Sequence, residues 1–579
     1  MTRLVYFFLM FILVSSCRTE PATTTDASKT TSPTSLQLRL NAEPDGLSPI
    51  LARTGASRQV YRHLYVQLLD VDPVSMNIVP ELAEKNATIT ELEDGKQRLS
   101  FDIHATARWS DGTPLTVQDV LFSYKILLHP TVKTRYKVIA DMINDMELDQ
   151  DNPQRINFLT EECFIALESS IGEMYIYPEH IYDPEKRMRK IPFSDFKTEE
   201  KIATLVKNNA ELEAVGKRIM DPEYVRDPAK FVTAGAYIFE EWKTGQNITL
   251  RKNTAWWGDQ FKSNVFTSRT EKIQFQIIPD NTTAITQLTN GEIDALSNVT
   301  AELFDENKTK ENLVAKTSSI LQMVWLSLNT KSGLLQDKNV RQALAYVCDE
   351  ESIIKNARNG YAKLITGPFM PGTNEYNKDV PATGYQPDKA KKLLLESGWE
   401  DSDRDGILDK MIDGKKTKLS LEFVVSSKST TGPIVGELLK NTAKKVGFEI
   451  RITPKDSKVY RQNQIAGDFD IVLQGASFYP GLYDPKGRWH TASFPPNGQN
   501  YPRFGNSETD AMIDELRSTC KDEVRRTNLY HKLHAIISEE QPVIFLYNAE
   551  MLHLINKKFD NIVVSPNRPG LFEEFLTLK

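Results

Sequence analysis

The chain has 579 residues, which is long enough for two to four domains and for a large buried core. Hydrophobic residues make up 40% and charged residues 26%, as in an ordinary soluble globular protein. The net charge of −7, with no dominantly basic arm or face and no acidic tail, argues against nucleic acid as a partner.

The N-terminal stretch MTRLVYFFLMFILVSSC predicts an export signal. Arg3 is followed by an apolar run from Leu4 to Val14. A run of about eleven residues is too short to span a hydrocarbon core of ~30 Å, but it fits the apolar region of a signal peptide. The small residues before Cys17 resemble the lipobox of bacterial lipoproteins, which implies cleavage before Cys17 and acylation of that cysteine. A plain signal peptide with a chance cysteine, or a buried strand, is the alternative interpretation.

Residues 18 to about 35 are rich in Thr, Ser and Pro and cannot form a packed core. They predict a flexible tether between the anchor and the folded body. Three further cysteines, Cys163, Cys348 and Cys520, are widely spaced and odd in number, which is not a disulfide framework. At most one bridge is possible among them; we expect none, and we expect Cys348 to be a buried thiol in an apolar helical pattern.

Strands and helices alternate along the rest of the chain, which favours an α/β fold. The segment 109–120 predicts a tight turn followed by a helix with Thr116 as N-cap and Asp119 in its first turn. Strands are predicted at 247–253, 272–278 and 419–425 from their alternating pattern. Gly291, in the sequence NGEID, suits a turn that needs a positive φ.

Two further segments predict helices. Residues 339–360 place Val340, Leu344, Val347 and Ile354 on one face of a single helix that stops at Gly360. Residues 387–398 begin with proline and end with glycine, as a helix often does. No second apolar run is long enough to span a membrane, and no repeat of fixed period is visible.

Several segments, in order, resemble the family 5 extracellular solute-binding proteins of ABC importers, which include the oligopeptide- and dipeptide-binding proteins. The most recognisable block is IVPELAEKNATITELEDGKQRLSFDIHATARWSDGTPLTVQDVLFSYKILLHP, with Trp109 to Thr116 at its centre. The other similar blocks lie at 232–257, 284–298, 325–354, 384–399 and 500–516. Together they extend from about residue 36 to the end of the chain. Their order over most of the chain makes the resemblance specific.

The resemblance implies a periplasmic-binding-protein type of α/β fold, with two lobes joined by two crossing strands and closing on a ligand by hinge motion. The first lobe is expected to be discontinuous and to carry an extra subdomain. The expected segments are 1–16 signal peptide, 17–35 tether, 36–77 first part of lobe I, 78–225 extra subdomain, 226–300 second part of lobe I, 301–530 lobe II and 531–579 C-terminal return to lobe I.

The expected function is capture of a solute and its delivery to an ABC permease, by a monomer held through its lipid anchor on the periplasmic side of a bacterial membrane. Peptides or peptide-like solutes are the first expectation, and a non-peptide solute such as a glycan is the alternative. A sensor built on the same fold is a second hypothesis. We expect no enzyme activity and no cofactor, because no nucleophile elbow, phosphate loop, dinucleotide fingerprint or zinc-protease motif is present.

The loop GASFYPGLYDPKGRWH, residues 475–490, lies where the resemblance places ligand contacts. Peptide-binding members carry an aspartate there that neutralises the peptide's ammonium group. Counting from either end of the loop, that position falls on Gly481 or Tyr479, and neither is a carboxylate. The aromatic side chains offer flat apolar faces for stacking, although packing within the lobe is the alternative for each. The candidate ligand-binding residues are Phe478, Tyr479, Tyr483, Asp484, Trp489, Asn500 and Arg53, with Arg58 as the alternative to Arg53.

The segment DSDRDGILD, residues 401–409, has the alternating aspartates of a calcium loop at Asp401, Asp403 and Asp405, with Asp409 as a fourth carboxylate. The twelfth position of that loop is Ile412, where an EF-hand needs a bidentate Glu. We therefore favour a polar turn over a partial calcium site, and we assign no metal.

Overall fold

The computed structural model describes residues 33–579 except residues 162 and 209. The predicted signal segment, Cys17 and most of the tether lie outside the described residues. The strands are β1 (Ser35–Leu40), β2 (Leu69–Val71), β3 (Ile78–Pro80), β4 (Thr88–Glu91), β5 (Gln97–Asp102), β6 (Asp145–Leu148), β7 (Arg155–Thr160), β8 (Tyr237–Lys243), β9 (Asn247–Lys252), β10 (Lys272–Ile277), β11 (Ala295–Ser297), β12 (Leu313–Leu328), β13 (Ala362–Leu364), β14 (Asp409–Ile412), β15 (Lys415–Lys418), β16 (Ser420–Ser426), β17 (Glu449–Lys455), β18 (Ile471–Ser477), β19 (Val543–Asn556), β20 (Phe559–Asp560), β21 (Val563–Val564), β22 (Leu571–Phe572) and β23 (Thr577–Leu578).

The α-helices alternate with these strands. They are α1 (Gly55–Tyr61), α2 (Val117–Leu128), α3 (Lys137–Asp141), α4 (Leu167–Gly172), α5 (Glu179–Tyr182), α6 (Glu199–Asn208), α7 (Ala210–Met220), α8 (Asn281–Asn290), α9 (Ala301–Asn307), α10 (Lys338–Tyr346), α11 (Glu350–Arg358), α12 (Pro387–Glu396), α13 (Thr431–Lys444), α14 (Ser457–Ala466), α15 (Lys486–Trp489), α16 (Ser507–Ser518) and α17 (Glu523–Glu540). Within the described ranges, none of the helices combines the length and apolar character needed to cross a membrane.

One large mixed sheet runs through the molecule in the order β17-β16-β18-β12-β19-β11-β1-β10-β9-β8, with β13 paired at the side of β19. The two longest strands, β12 and β19, lie side by side near its middle and are antiparallel. Their pairing is interrupted between Ser319 and Met323. The sheet therefore has a break in its ladder partway along both long strands.

Separate hydrophobic cores lie on either side of this break. The first core is built from residues within 36–295 and 555–576, and the body around it is called the first lobe here. A second core from residues within 326–549 and a third from residues within 323–545 form the second lobe, and Ile165 of the loop after β7 packs into the third core. Because β12 and β19 pass from one lobe to the other, they are the two crossing strands expected from the resemblance. The α/β fold class is confirmed, whereas the segment boundaries stay a prediction.

Most local predictions are confirmed. Thr116 and Asp119 form a capping box at the start of α2, and Gly291 ends α8 with a φ of 80°. The single helix predicted over 339–360 is wrong, because the chain forms α10 and α11 with a break between them. The side chain of Asp349 accepts a hydrogen bond from the backbone N–H of Ser352 and so starts a new helix.

The expectation that no cysteines pair is also wrong. Cys163 and Cys520 form a disulfide, with their Cα atoms 6.3 Å apart. Cys163 follows β7 and Cys520 lies in the turn between α16 and α17, and the backbone N–H of Ile165 donates to the carbonyl of Arg517 at 3.2 Å. The fold thus brings together two loops that are 357 residues apart in sequence. Cys348 is a buried free thiol, as predicted.

Candidate ligand-binding cleft

A cavity of about 950 Å³ lies between the two lobes at the break in the long ladder. Its floor is formed by residues 320–322 of β12 and 550–552 of β19. One wall comes from the first lobe, including residues 53–61, and the other includes residues 477–479 of the second lobe. A cavity of this volume is in the range used for small-molecule and cofactor-sized ligands.

The aromatic loop begins at the floor of this cavity. Strand β18 pairs with β12 up to Ser477 opposite Gln322, and the backbone N–H of Phe478 still donates to the carbonyl of Leu321 at 2.7 Å. The chain then leaves the sheet, so adjacent side chains have different surroundings. Phe478 is 7% exposed and packs on its own lobe, whereas Tyr479 is 70% exposed at the cavity. Both of these predicted residues line the cavity.

Four other predicted residues lie outside the cavity lining and hold the loop in place. The ring of Tyr483 packs between Phe478 and Phe369, with centroid distances of 5.1 and 5.8 Å. Burial raises the pKa of Tyr483 to about 12. Asp484 accepts a hydrogen bond from Nε of Arg517 at 3.1 Å, so its carboxylate is already paired within the second lobe.

Trp489 and Asn500 are deeper still. Trp489 is 2% exposed and packs edge-on against Phe504. Asn500 is fully buried, donates from Nδ2 to the carbonyls of His490 and Phe504, and accepts from the N–H of Phe504. These contacts close the end of the aromatic loop. The assignment of Tyr483, Asp484, Trp489 and Asn500 as ligand contacts stays a prediction.

The first-lobe wall is organised by Asp45. Its carboxylate accepts hydrogen bonds from the backbone of Arg53 and from the side chains of Thr54 and Ser57. Burial acts to raise the pKa of Asp45, but these hydrogen bonds lower it overall. The network fixes the start of α1, so that Arg53 and Arg58 both line the cavity. Arg53 is exposed and Arg58 is half-buried.

The cavity lining is strongly biased toward positive charge. It contains the six arginines Arg39, Arg53, Arg58, Arg135, Arg358 and Arg568, and the three glutamates Glu302, Glu550 and Glu573. Among the described lining residues there is no lysine and no aspartate. Reasoning from the sequence missed four of these arginines, because they come from separate segments and no local pattern connects them.

The aspartate turn at 401–409 has its own internal partners. The carboxylates of Asp401, Asp403 and Asp405 offer oxygen atoms within 4.8 Å of one another. The ammonium of Lys416 lies 3.1 Å from Asp403, and that of Lys418 forms an ion pair with Asp405. These lysines supply the positive charge that a cation would bring, which supports the polar-turn interpretation. The metal assignment itself stays untested.

Comparison with known proteins agrees with this geometry. The family model "Bacterial extracellular solute-binding proteins, family 5 Middle" matches residues 77–500. The oligopeptide-binding protein AppA of Bacillus subtilis is 28% identical over 521 residues, which is 87% of this chain and 84% of AppA.

Solved structures are also similar to this chain. The structure of B. subtilis AppA in complex with a nonapeptide is similar with a TM-score of 0.64 and 26% identity, and the match covers 95% of this chain and 100% of that one. HbpA2 from Haemophilus parasuis has a TM-score of 0.76 at 18% identity, covering 94% of this chain and 100% of its own, and supports the fold alone. The chain belongs to family 5 of the bacterial extracellular solute-binding proteins.

Proposed function

We propose that this protein captures peptides or peptide-like solutes outside the cytoplasm and presents them to an ABC permease. The observation that carries the proposal is the cavity of about 950 Å³ between two lobes, which are joined by the crossing strands β12 and β19 and, on one side, by the Cys163–Cys520 disulfide. The oligopeptide-binding relative, whose structure contains a nonapeptide, supports peptides over the glycan alternative. The protein acts by binding and release, with no catalytic step.

Capture depends on bending at the cavity floor. The pairing of β12 with β19 is already interrupted between Ser319 and Met323, so a hinge movement there disturbs few ladder hydrogen bonds. In the structure Tyr479 already lies across the cavity from the arginine-bearing wall of the first lobe, and the Cys163–Cys520 disulfide limits how far the two lobes separate. A ligand that contacts both walls stabilises the closed form by its differential affinity for that form.

The binding part of the proposal is tested by calorimetry with peptides of two to nine residues and with a matched panel of glycans. Saturating peptide at a hundredfold excess over Kd is expected to stabilise the protein by about 2.7 kcal/mol. Tyr479→Ala is expected to weaken peptide binding without lowering stability, because the side chain is 70% exposed. Tyr385→Ala is the matched control, since Tyr385 is 37% exposed and lies outside the cavity lining.

The proposal includes a lipid anchor at Cys17, a tether over residues 17–35 and the lobe boundaries expected from the resemblance. Two or more acyl chains hold a protein at a membrane much more firmly than one chain does. Intact-mass measurement of the protein from membranes is expected to find an acylated N-terminus at Cys17. Cys17→Ala is expected to leave the signal segment uncleaved, and an unmodified N-terminus elsewhere in the native protein would contradict the anchor.

A further inference from the structure

One end of the cavity brings two arginines and three tyrosines together. Arg58 lies on α1 and Arg135 lies in the loop after α2, yet both line the same cavity, together with Tyr61 and Tyr479. Nη2 of Arg135 donates to the hydroxyl of Tyr136 at 2.9 Å, and its guanidinium lies 4.9 Å from the centre of that ring. Tyr479 belongs to the second lobe, so this cluster spans the cavity.

Neither arginine has an ion-pair partner among the described residues. The three glutamates of the lining have other partners. Glu573 pairs with Arg62 and His63, Glu550 lies 3.7 Å from the ammonium of Lys363, and Glu302 accepts a hydrogen bond from Nδ2 of Asn359 at 3.3 Å. The half-buried guanidinium of Arg58 has lost part of its hydration and has no hydrogen-bonded counter-charge in its place within the described part of the chain. Arg58 can therefore take an anion of the ligand as its counter-charge.

Two buried acids behind Arg58 balance its charge only in part. Glu173 and Asp70 interact with Arg58 electrostatically but form no ion pair with it. Burial, followed by the charge of Asp70, raises the pKa of Glu173 to about 7, so a large fraction of Glu173 is neutral at neutral pH. The positive charge of Arg58 at the cavity thus remains largely available.

The expected anchor for a peptide ammonium is missing on the opposite wall. Neither Tyr479 nor Gly481 offers a carboxylate, and Asp484 is already paired with Arg517. The charge of the cavity is therefore opposite to what recognition of a free amine requires. A planar guanidinium matches a carboxylate with two parallel hydrogen bonds, which makes that group the best complement to Arg58 and Arg135.

We propose that the captured peptide is anchored through a carboxylate at Arg58 and Arg135, with Tyr479 covering this end of the cavity. This inference rests on the proposed peptide-binding function and names the ligand group that the cavity selects. The carboxylate comes from the C-terminus or from an acidic side chain of the peptide. A free N-terminal amine contributes little to the affinity.

The test uses the purified full-length protein and a proteolytic digest of serum albumin as the probe. One portion of the digest is untreated, a second has its carboxylates converted to methylamides, and a third has its amines acetylated. Captured peptides are quantified by mass spectrometry against their input. Methylamidation is expected to reduce capture by about tenfold or more, whereas acetylation leaves it within about twofold.

The same data distinguish the two sources of the carboxylate. Peptides without Asp or Glu carry only their terminal carboxylate. If methylamidation lowers their capture as well, the C-terminus is the anchored group. If only peptides with Asp or Glu lose capture, an acidic side chain is anchored.

Variants assign the effect to the two arginines. Arg58→Gln and Arg135→Gln are each expected to abolish the preference for untreated over methylamidated peptides. Arg135 is exposed, so its variant keeps the test valid even if Arg58→Gln does not fold. Arg451→Gln is the control, because Arg451 is exposed on β17 and contacts Ser420 and Glu449 away from the cavity.

Three outcomes would overturn the inference. Equal capture of untreated and methylamidated peptides would refute the carboxylate anchor while leaving peptide binding intact. A preference that survives in both arginine variants would place the anchor elsewhere. Capture of no peptide in any portion would refute the proposed function and this inference together.

Discussion

Glu573 is a buried carboxylate whose removal is expected to destabilise the protein strongly. Its side chain is 2% exposed, accepts a hydrogen bond from Nε2 of His63 at 2.8 Å, and lies 3.3 Å from a guanidinium nitrogen of Arg62. Burial alone would raise the pKa of Glu573, but the charge of Arg62 and the hydrogen bond from His63 lower it to about 2. The contacts of Glu573 with Arg62 and His63 join the residues just after α1 to the C-terminal segment of the chain.

The size of the effect follows from the pKa. A fall from the ordinary value of 4.5 to about 2 corresponds to about 3 kcal/mol of stability at neutral pH. Glu573→Gln removes this contribution and leaves Arg62 with only Glu574 as its counter-charge. We therefore expect the free energy of unfolding to fall by about 3 kcal/mol at pH 7, within the range for breaking a buried ion pair.

The pH dependence has a definite sign. Because the pKa of Glu573 is lower in the folded state, its contribution is fully present above about pH 4.5 and is lost as the pH falls toward about 2. The difference between wild type and Glu573→Gln is thus expected to shrink to about half by pH 3. Urea unfolding between pH 3 and 7, followed by tryptophan fluorescence and circular dichroism, measures this difference.

Glu173→Gln is the matched control, with the opposite sign. Burial raises the pKa of Glu173 in the folded protein to about 7. The wild-type protein therefore loses stability as the pH rises from about 4.5 through about 7, because this buried carboxyl group must ionise. This variant is expected to be more stable than wild type at pH 8, by up to about 3 kcal/mol, and equal to it below pH 4.5. A Glu573→Gln variant as stable as wild type at pH 7, or a difference that does not change with pH, would refute the reasoning.

Three other properties can be checked with simple measurements. Reduction of the Cys163–Cys520 disulfide is expected to release two thiols that do not react in the denatured, unreduced protein, and to lower stability by about 2–5 kcal/mol; reactivity of both before reduction would contradict the bridge. Millimolar calcium is expected to leave the melting temperature unchanged, because Lys416 and Lys418 already neutralise the aspartate turn, whereas a clear rise would reveal a calcium site. Gly291→Ala is expected to cost about 1 kcal/mol, since Gly291 has a φ of 80° at the end of α8, and no loss in urea unfolding would argue against that conformation.

Features that depend on neighbouring residues could be predicted from the sequence. The capping box of Thr116 and Asp119 and the left-handed Gly291 follow from local hydrogen bonding and backbone sterics. The order of the resembling segments also predicted the fold class and the two crossing strands. The break between α10 and α11 was missed because the helical spacing of apolar residues continues through it. Asp349 nevertheless caps a new helix there by accepting a hydrogen bond from the N–H of Ser352.

Features that depend on distant residues could not be predicted in this way. Cys163 and Cys520 are 357 residues apart, and only the packed loops bring them together. Arg135 reaches the cavity from a loop that carries no recognisable motif. The aromatic loop was correctly placed beside the cavity, but its sequence could not show that Phe478 packs inward while the adjacent Tyr479 faces the cavity.

The most direct test of peptide capture between the lobes is native mass spectrometry of the protein purified from its own cells without denaturation. We expect an added mass that fragments as one or more peptides and that is lost from Tyr479→Ala but retained by Tyr385→Ala. A bound glycan or other non-peptide solute, or peptides that stay bound when the cavity residue is changed, would contradict capture of peptides in this cleft.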